Sequence, residues 1–134
     1  MRQLCRRKEM VNPSFVNDDS TIAAIATAAG MGGVGVIRIS GPAAFTIAHQ
    51  ITHLNSIDSH RAHFTSFYSN EDQLLDKGLL IGFKGPKSFT GEDVVEFQLH
   101  GGPALLQSLL EEALSMGARM AKPGEFTYRA FLNN

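Results

Sequence analysis

The chain has 134 residues, with 43% apolar and 19% charged side chains and a net charge of −1. That is the size and balance of one globular domain with a core of its own. Beyond position 19 the sequence holds eight basic and ten acidic residues, so any contact made here with RNA is not driven by charge. Four basic residues (Arg2, Arg6, Arg7, Lys8) crowd the first ten positions. They are read as part of a flexible tail over 1–19, or as an extension ahead of a start at Met10.

Cys5 is the single cysteine, so no internal disulfide can form. A reducing compartment fits, and a cytoplasmic location is expected. No apolar run approaches the roughly 18 residues of a membrane span, and no apolar core marks a secretory signal.

In chain order, Thr21–Thr27 reads as a strand of small residues, followed by the glycine turn Gly30-Met31-Gly32-Gly33. Val34–Ser40 alternates apolar positions around Arg38 and reads as a strand. Gly41-Pro42 closes it and opens a helix over 42–53, with Phe45, Ala48 and Ile51 or Thr52 on its apolar face. Arg61–Tyr68 and Leu74–Phe83 pair as a hairpin across Asn70-Glu71-Asp72, with Leu79, Leu80, Ile81 and Phe83 expected to be buried.

The densest stretch follows, from Gly85 to Pro103. A loop of hydrogen-bonding residues (Ser88, Thr90, Glu92, Asp93) leads into a strand through Val94, Phe97 and Leu99. His100-Gly101-Gly102 then turns into a helix at Pro103. Either a ligand site or a well-capped strand-to-helix connection accounts for that mixture. The helix runs to Met116, with Leu105, Leu109 and Ala113, and Leu106, Leu110 and Leu114, stacked at four-residue spacing; Glu111 and Glu112 face water and Gly117 caps it. A short strand over 118–121 and a turn or helix from Pro123 complete the chain. The apolar pattern of Phe126, Ala130, Phe131 and Leu132 runs up to Asn134, which suggests a fragment of something longer. Strands that cluster rather than alternate with helices indicate an α+β fold with a mixed sheet of five to six strands and two main helices.

Several motifs fail on context. Gly30-Met31-Gly32-Gly33-Val34-Gly35 matches the dinucleotide fingerprint, yet it opens a strand instead of a helix, so close backbone approach is the better account. No phosphate loop G-x-x-x-x-G-K-[ST] occurs, so these residues carry no nucleoside-triphosphate site; no G-x-S-x-G nucleophile occurs either. His49 and His53 lie one helical turn apart without a third ligand, so no metal site is assigned, and no catalytic residue is assigned. Arg38 and Glu96 stand apart, each a charge inside an otherwise apolar strand. They either face solvent, pair with each other, or recognise a flat polar ligand, the carboxylate accepting two parallel hydrogen bonds and the guanidinium gripping a carbonyl or an acidic tail.

At these residues a family resemblance enters. Thr21–Thr27, Gly32-Gly33-Val34-Gly35-Val36-Ile37-Arg38-Ile39-Ser40-Gly41-Pro42, Ser88-Phe89-Thr90-Gly91-Glu92-Asp93-Val94-Val95-Glu96, His100-Gly101-Gly102-Pro103, Pro123-Gly124-Glu125-Phe126-Thr127 and Arg129-Ala130-Phe131-Leu132-Asn133 resemble, in order, the N-terminal domain of the tRNA modification GTPases of the MnmE/TrmE family. The resemblance spans about residues 19–134. It implies a folate-binding domain over 20–134, similar to one half of the folate-binding unit of glycine-cleavage T-proteins, which dimerises to build its site.

The resemblance also implies a longer protein, with a helical domain and a GTPase domain beyond this segment; GTP, magnesium and potassium belong to that GTPase domain. Such a protein works with the flavoprotein MnmG. It adds an aminomethyl or carboxymethylaminomethyl group to the wobble uridine of tRNA, using a one-carbon unit from a tetrahydrofolate derivative, 5-formyl or 5,10-methylene. Arg38 and Glu96 match positions that hold the folate. The family's lysine after Phe-Leu-Asn would follow Asn134. The sequence departs from the family at Ala29-Gly30-Met31 (commonly Pro-Gly-Arg), at Leu99 (commonly Gly, so that bulk is added beside the site) and at Tyr128 (usually Glu). The alternative is a dimerisation scaffold that binds no folate. In the homodimer, strand 21–27 is expected to join the partner's sheet, freed by the glycines at 30, 32, 33 and 35; a monomer with that strand in its own sheet is the other outcome.

Overall fold

The computed structural model of the chain describes residues 18–27 and 33–134. Six strands form one sheet: β1 (Ile22–Ile25), β2 (Gly35–Ser40), β3 (Ala62–Tyr68), β4 (Leu74–Phe83), β5 (Val94–Leu99) and β6 (Arg119–Met120). Among the described residues three helices accompany them: α1 (Ala44–Thr52), α2 (Pro103–Ser115) and α3 (Glu125–Asn133). The order across the sheet is β3-β4-β5-β2-β1-β6, antiparallel except for the parallel β1–β6 pair. This is the expected α+β fold with a mixed sheet. No described helix is long and apolar enough to cross a membrane.

The two-residue period of a strand sorts the side chains onto two faces. Ile37 and Ile39 of β2, Val95, Phe97 and Leu99 of β5, Leu80 of β4 and Phe67 of β3 are fully buried against one face. There they meet Ala44, Ile47, Ala48 and Ile51 of α1 and Leu109, Leu110 and Ala113 of α2. Phe67 and Phe97 meet edge to face, ring centroids 5.3 Å apart. Each large apolar side chain buried this way contributes about 1.5–3 kcal/mol, which makes this face the source of most of the stability.

Glycine is needed where backbones come closest. A Cβ on Gly35 would lie 2.4 Å from Leu106 of α2, so the last glycine of the 30–35 run admits the helix. The rest of that run through Gly32, with Met31, lies outside the described residues, as does Cys5.

The structure corrects three expectations. β1 lies in the sheet of its own chain, paired with β2 on one side and β6 on the other, and not in that of a partner; Ala23 and Ile22 are fully buried there. Leu79, Ile81 and Phe83 are only half-buried, because strand alternation sends them to the face opposite Leu80. Leu99 belongs to the helix-covered core and so adds no bulk on the face that carries Glu96. The segment that follows Pro123, read from the sequence as a turn or helix, is the helix α3.

Candidate functional site

The face that α1 and α2 leave uncovered carries the residues of the other parity. Ala62, Ile81, Glu96, Arg38 and Ala24 form one row straight across β3, β4, β5, β2 and β1. Arg38 and Glu96 are therefore neighbours by sheet register. Arg38 Nε donates to Glu96 Oε2 at 2.8 Å, and the two side chains are 27% and 18% exposed. Of the readings made from sequence, facing solvent, pairing with each other and recognising a ligand, pairing is observed, and it does not preclude recognition. The terminal nitrogens of Arg38 and Oε1 of Glu96 make no hydrogen bond to any described residue.

Two aromatic rings flank the guanidinium. Phe89, from the loop before β5, lies with its centroid 5.3 Å from Arg38 Cζ, and Phe126, in the first turn of α3, lies 5.6 Å away. Cation–π attraction of this kind holds a planar cation against a ring face. Beside Arg38 an open groove of about 300 Å³ runs between Ala24, Ile25 and Ala26 of the β1 segment and the 121–124 turn, with Phe126 at its side. Small side chains on β1 make the groove; a large residue at 24 or 26 would fill it.

The loop over 85–93 holds this arrangement in place. Ser40 Oγ and Thr90 Oγ1 are 2.7 Å apart and fully buried, and Ser40 Oγ donates to Glu92 Oε1 at 2.9 Å. Gly85 N donates to Asp93 Oδ1 at 2.9 Å, and Ser88 Oγ donates to the Glu92 carbonyl. Asn133 Nδ2 donates to Thr90 O at 2.9 Å, tying the end of α3 to the loop. Gly91 sits at φ +81 beneath Asn133, a conformation that favours glycine. The hydroxyls and carboxylates that make this stretch distinctive are thus spent on positioning, as the capped-connection reading expects; Phe89 is the side chain it presents beside Arg38.

An ion cluster that sequence reasoning missed anchors α3. Arg119 donates twice to Glu125, Nη1 to Oε1 at 2.9 Å and Nη2 to Oε2 at 2.6 Å. Arg129 Nη1 donates to Glu92 Oε1 at 3.0 Å and to the Ser20 carbonyl at 2.6 Å. Asp18 accepts from both arginines, at 3.2 and 3.4 Å, so the residues ahead of β1 are part of the same cluster. Burial pushes the Glu125 carboxyl up, but the Arg119 hydrogen bonds, the Lys122 N–H and the charges of Arg119 and Arg129 outweigh it and hold it below its ordinary value. Hydrogen bonds from Ser20 likewise lower Asp18. A signal was available in the sequence: Glu125 and Arg129 are one helical turn apart in an otherwise apolar pattern.

The histidines singled out earlier are engaged elsewhere. His49 Nδ1 lies 2.7 Å from the Leu54 carbonyl. His53 stacks on Tyr68, centroids 4.3 Å apart, with Nε2 3.2 Å from Asp72 Oδ1. Among the described residues no group of three or more His, Cys, Asp and Glu could hold a metal ion.

Comparison with known proteins places this chain in a family. Residues 21–134 match the family described as the N-terminus of GTP-binding protein TrmE. The chain is similar to the tRNA modification GTPase MnmE of Legionella pneumophila (strain Corby), 52% identical over 114 residues, which is 85% of this chain and 26% of the relative. It is similar to the MnmE of Pseudomonas fluorescens (strain Pf0-1), 54% identical over 114 residues, 85% of this chain and 25% of that protein. The MnmE of Sulfurovum sp. (strain NBC37-1) is 51% identical over the same length, again 85% of this chain and 25% of the relative. The chain spans about a quarter of the length of the curated relatives it matches. On the match over 21–134 and these identities, the chain belongs to the TrmE N-terminal family.

Proposed function

We propose that this chain is a folate-binding, dimer-forming domain of a tRNA modification GTPase, and that Arg38 and Glu96 hold the flat head of a tetrahydrofolate derivative, 5-formyl or 5,10-methylene. The observation that carries the reading is the paired charge on the open sheet face. One N–H of Arg38 and one oxygen of Glu96 are spent on each other, which locks both side chains. The remaining donors and the remaining oxygen stand beside a groove of about 300 Å³ flanked by aromatic rings. That volume lies at the lower end of the about 300–1,000 Å³ of small-molecule pockets. Apolar walls with a few convergent polar groups are what a reduced pteridine needs: rings to pack on, an acceptor for its amino and ring N–H groups, and a donor for its carbonyl.

In the whole protein this domain supplies the one-carbon unit for addition of an aminomethyl or carboxymethylaminomethyl group to the wobble uridine of tRNA, in the cytoplasm, with MnmG as partner. In this reading GTP, magnesium and potassium belong to a GTPase domain of the whole protein, outside the folate-binding domain. A homodimer completes the site.

Isothermal titration of the chain with 5-formyltetrahydrofolate tests the folate reading. Saturable binding that Glu96→Ala weakens by roughly 5- to 150-fold, the equivalent of about 1–3 kcal/mol for donors left unpaired, supports it. A folded Glu96→Ala protein with unchanged affinity removes Glu96 from the site. The scaffold alternative draws on one observation, that the polar groups of the 85–93 loop are satisfied within the chain. No heat of binding from a dimeric protein would favour it.

A further inference from the structure

Three elements meet around Arg38, and each supplies one residue to that site and a second that ties the elements together. β2 carries Arg38 and, two positions on and on the same face, Ser40. The 85–93 loop carries Phe89 and, three positions on, Glu92; α3 carries Phe126 and, three positions on, Arg129. Phe89 and Phe126 lie at the Arg38 guanidinium. The second set meets at one carboxylate. Glu92 Oε1 accepts from Ser40 Oγ at 2.9 Å and from Arg129 Nη1 at 3.0 Å, so a single oxygen joins β2 to α3. Glu92 also holds the chain on either side of Phe89: Ser88 Oγ donates to its carbonyl, and its N–H donates to Thr90 Oγ1 at 3.2 Å. Phe89 itself is 52% exposed, so its place is set largely by the loop that carries it.

We propose that Glu92 is a positioning residue for the ligand site: by joining β2, the loop and α3 it holds Phe89 and Phe126 against the Arg38 guanidinium. The ligand is the folate proposed above, and to that extent the inference rests on that reading. A guanidinium held by two rings and by Glu96 presents its remaining N–H groups in one direction, and a ligand then binds without first ordering a long side chain. A carboxylate is required at 92 because Ser40 and Arg129 both donate to it. Glutamine fills the same volume but offers a single oxygen, and it turns N–H groups toward donors. In Glu92→Gln, Arg129 keeps the Ser20 carbonyl and Asp18, and Arg119 keeps Glu125. α3 therefore stays tied to β6 and to the segment ahead of β1. Its remaining tie to the loop, from Asn133 to the Thr90 carbonyl, lies at the end of α3 away from Phe126. The fold persists while the two rings are free to part.

The Arg38 Nε–H gives the direct readout. Glu96 holds it, and ring currents displace proton signals near an aromatic face, so its peak in a proton–nitrogen correlation spectrum reports both rings. Phe89→Leu and Phe126→Leu define the displacement that each ring causes. Glu92→Gln should move the signal in the same direction. It should also raise the dissociation constant of 5-formyltetrahydrofolate roughly 3- to 10-fold, the effect of freeing one long side chain. Gly78→Ala, which crowds the sheet on its helix-covered side, is the control and should change neither. Ser40→Ala and Arg129→Lys, which leave the Glu92 carboxylate in place, carry the same test if Glu92→Gln does not fold. A folded variant with the wild-type Arg38 signal, or with a displaced signal and unchanged affinity, overturns the role of Glu92. A wild-type chain that binds no 5-formyltetrahydrofolate overturns the folate reading instead, and the Arg38 signal then decides by itself whether Glu92 holds the rings.

Discussion

Arg38 and Glu96 occupy directly opposed positions on adjacent antiparallel strands, and their side chains close the gap with a single hydrogen bond of 2.8 Å. The bond is enough to fix both groups and leaves most of their hydrogen-bonding capacity unused. It is also partly solvated, at 27% and 18% exposure. Directly opposed charge pairs of this kind contribute about 0.2–1 kcal/mol to a sheet. Stability and ligand binding should therefore separate at this site.

Arg38→Met and Glu96→Ala are each expected to cost about 1 kcal/mol or less in urea denaturation. Phe126→Ala, which removes one ring from the guanidinium and one side of the groove, should weaken 5-formyltetrahydrofolate more than it weakens the fold. A double-mutant cycle on Arg38 and Glu96, read once by denaturation and once by titration calorimetry, gives the two couplings. A larger coupling in stability than in binding would mark the pair as structural.

Acid should act on the cluster around α3. The Glu125 carboxyl is held below its ordinary 4.5, so its contribution is fully present above that pH and is lost as pH falls through its lower folded value. Protonation there leaves Arg119 and the buried Arg129 facing a neutral group. Glu125→Gln should lower the melting temperature at pH 7 and flatten its fall below pH 4.5. Glu125→Ala should cost about 3 kcal/mol at neutral pH, the usual penalty for breaking a buried pair from one side. Melting curves from pH 7 to pH 3 check both.

Gly78 is expected to be intolerant for a steric reason. A Cβ at this position of β4 would fall 2.0 Å from the Gln98 carbonyl oxygen of β5, and backbone cannot move aside as a side chain can. Gly78→Ala should destabilise by about 1–3 kcal/mol, which for a domain of this size lowers the melting temperature by several degrees. Gly102→Ala is the matched control, because nothing lies within 4 Å of its added carbon.

These 134 residues contain no phosphate-loop sequence, and no hydrolysis of GTP by the purified chain is expected. A phosphate-release assay with magnesium and potassium present measures it; turnover above the no-protein background would contradict the motif reading.

Periodicity and turn chemistry in the sequence determined the elements nearly to their ends. Alternation set β2 and β3, Pro103 with the preceding glycines set the start of α2, and the family motifs set the identity. The same local signals were silent on which side of the sheet the helices would cover. That choice buries Leu80 and Leu99 and leaves Leu79 and Ile81 half-open, and it depends on α1 and α2 packing against the same face. Arg38 and Glu96 were legible as misplaced charges. That they meet is a matter of register between strands 58 residues apart. Phe89 and Phe126 carry no signal of a site in the sequence, because a ring becomes a site residue only once the fold sets it beside a guanidinium. The cluster of Asp18, Glu92, Arg119, Glu125 and Arg129 draws on four separate stretches of chain, and no window of sequence contains it. The free edge was likewise decided by tertiary structure. Once β1 pairs with β2 and β6, the longer of the two sheet edges among the described strands is β3, and only the order of all six strands reveals that.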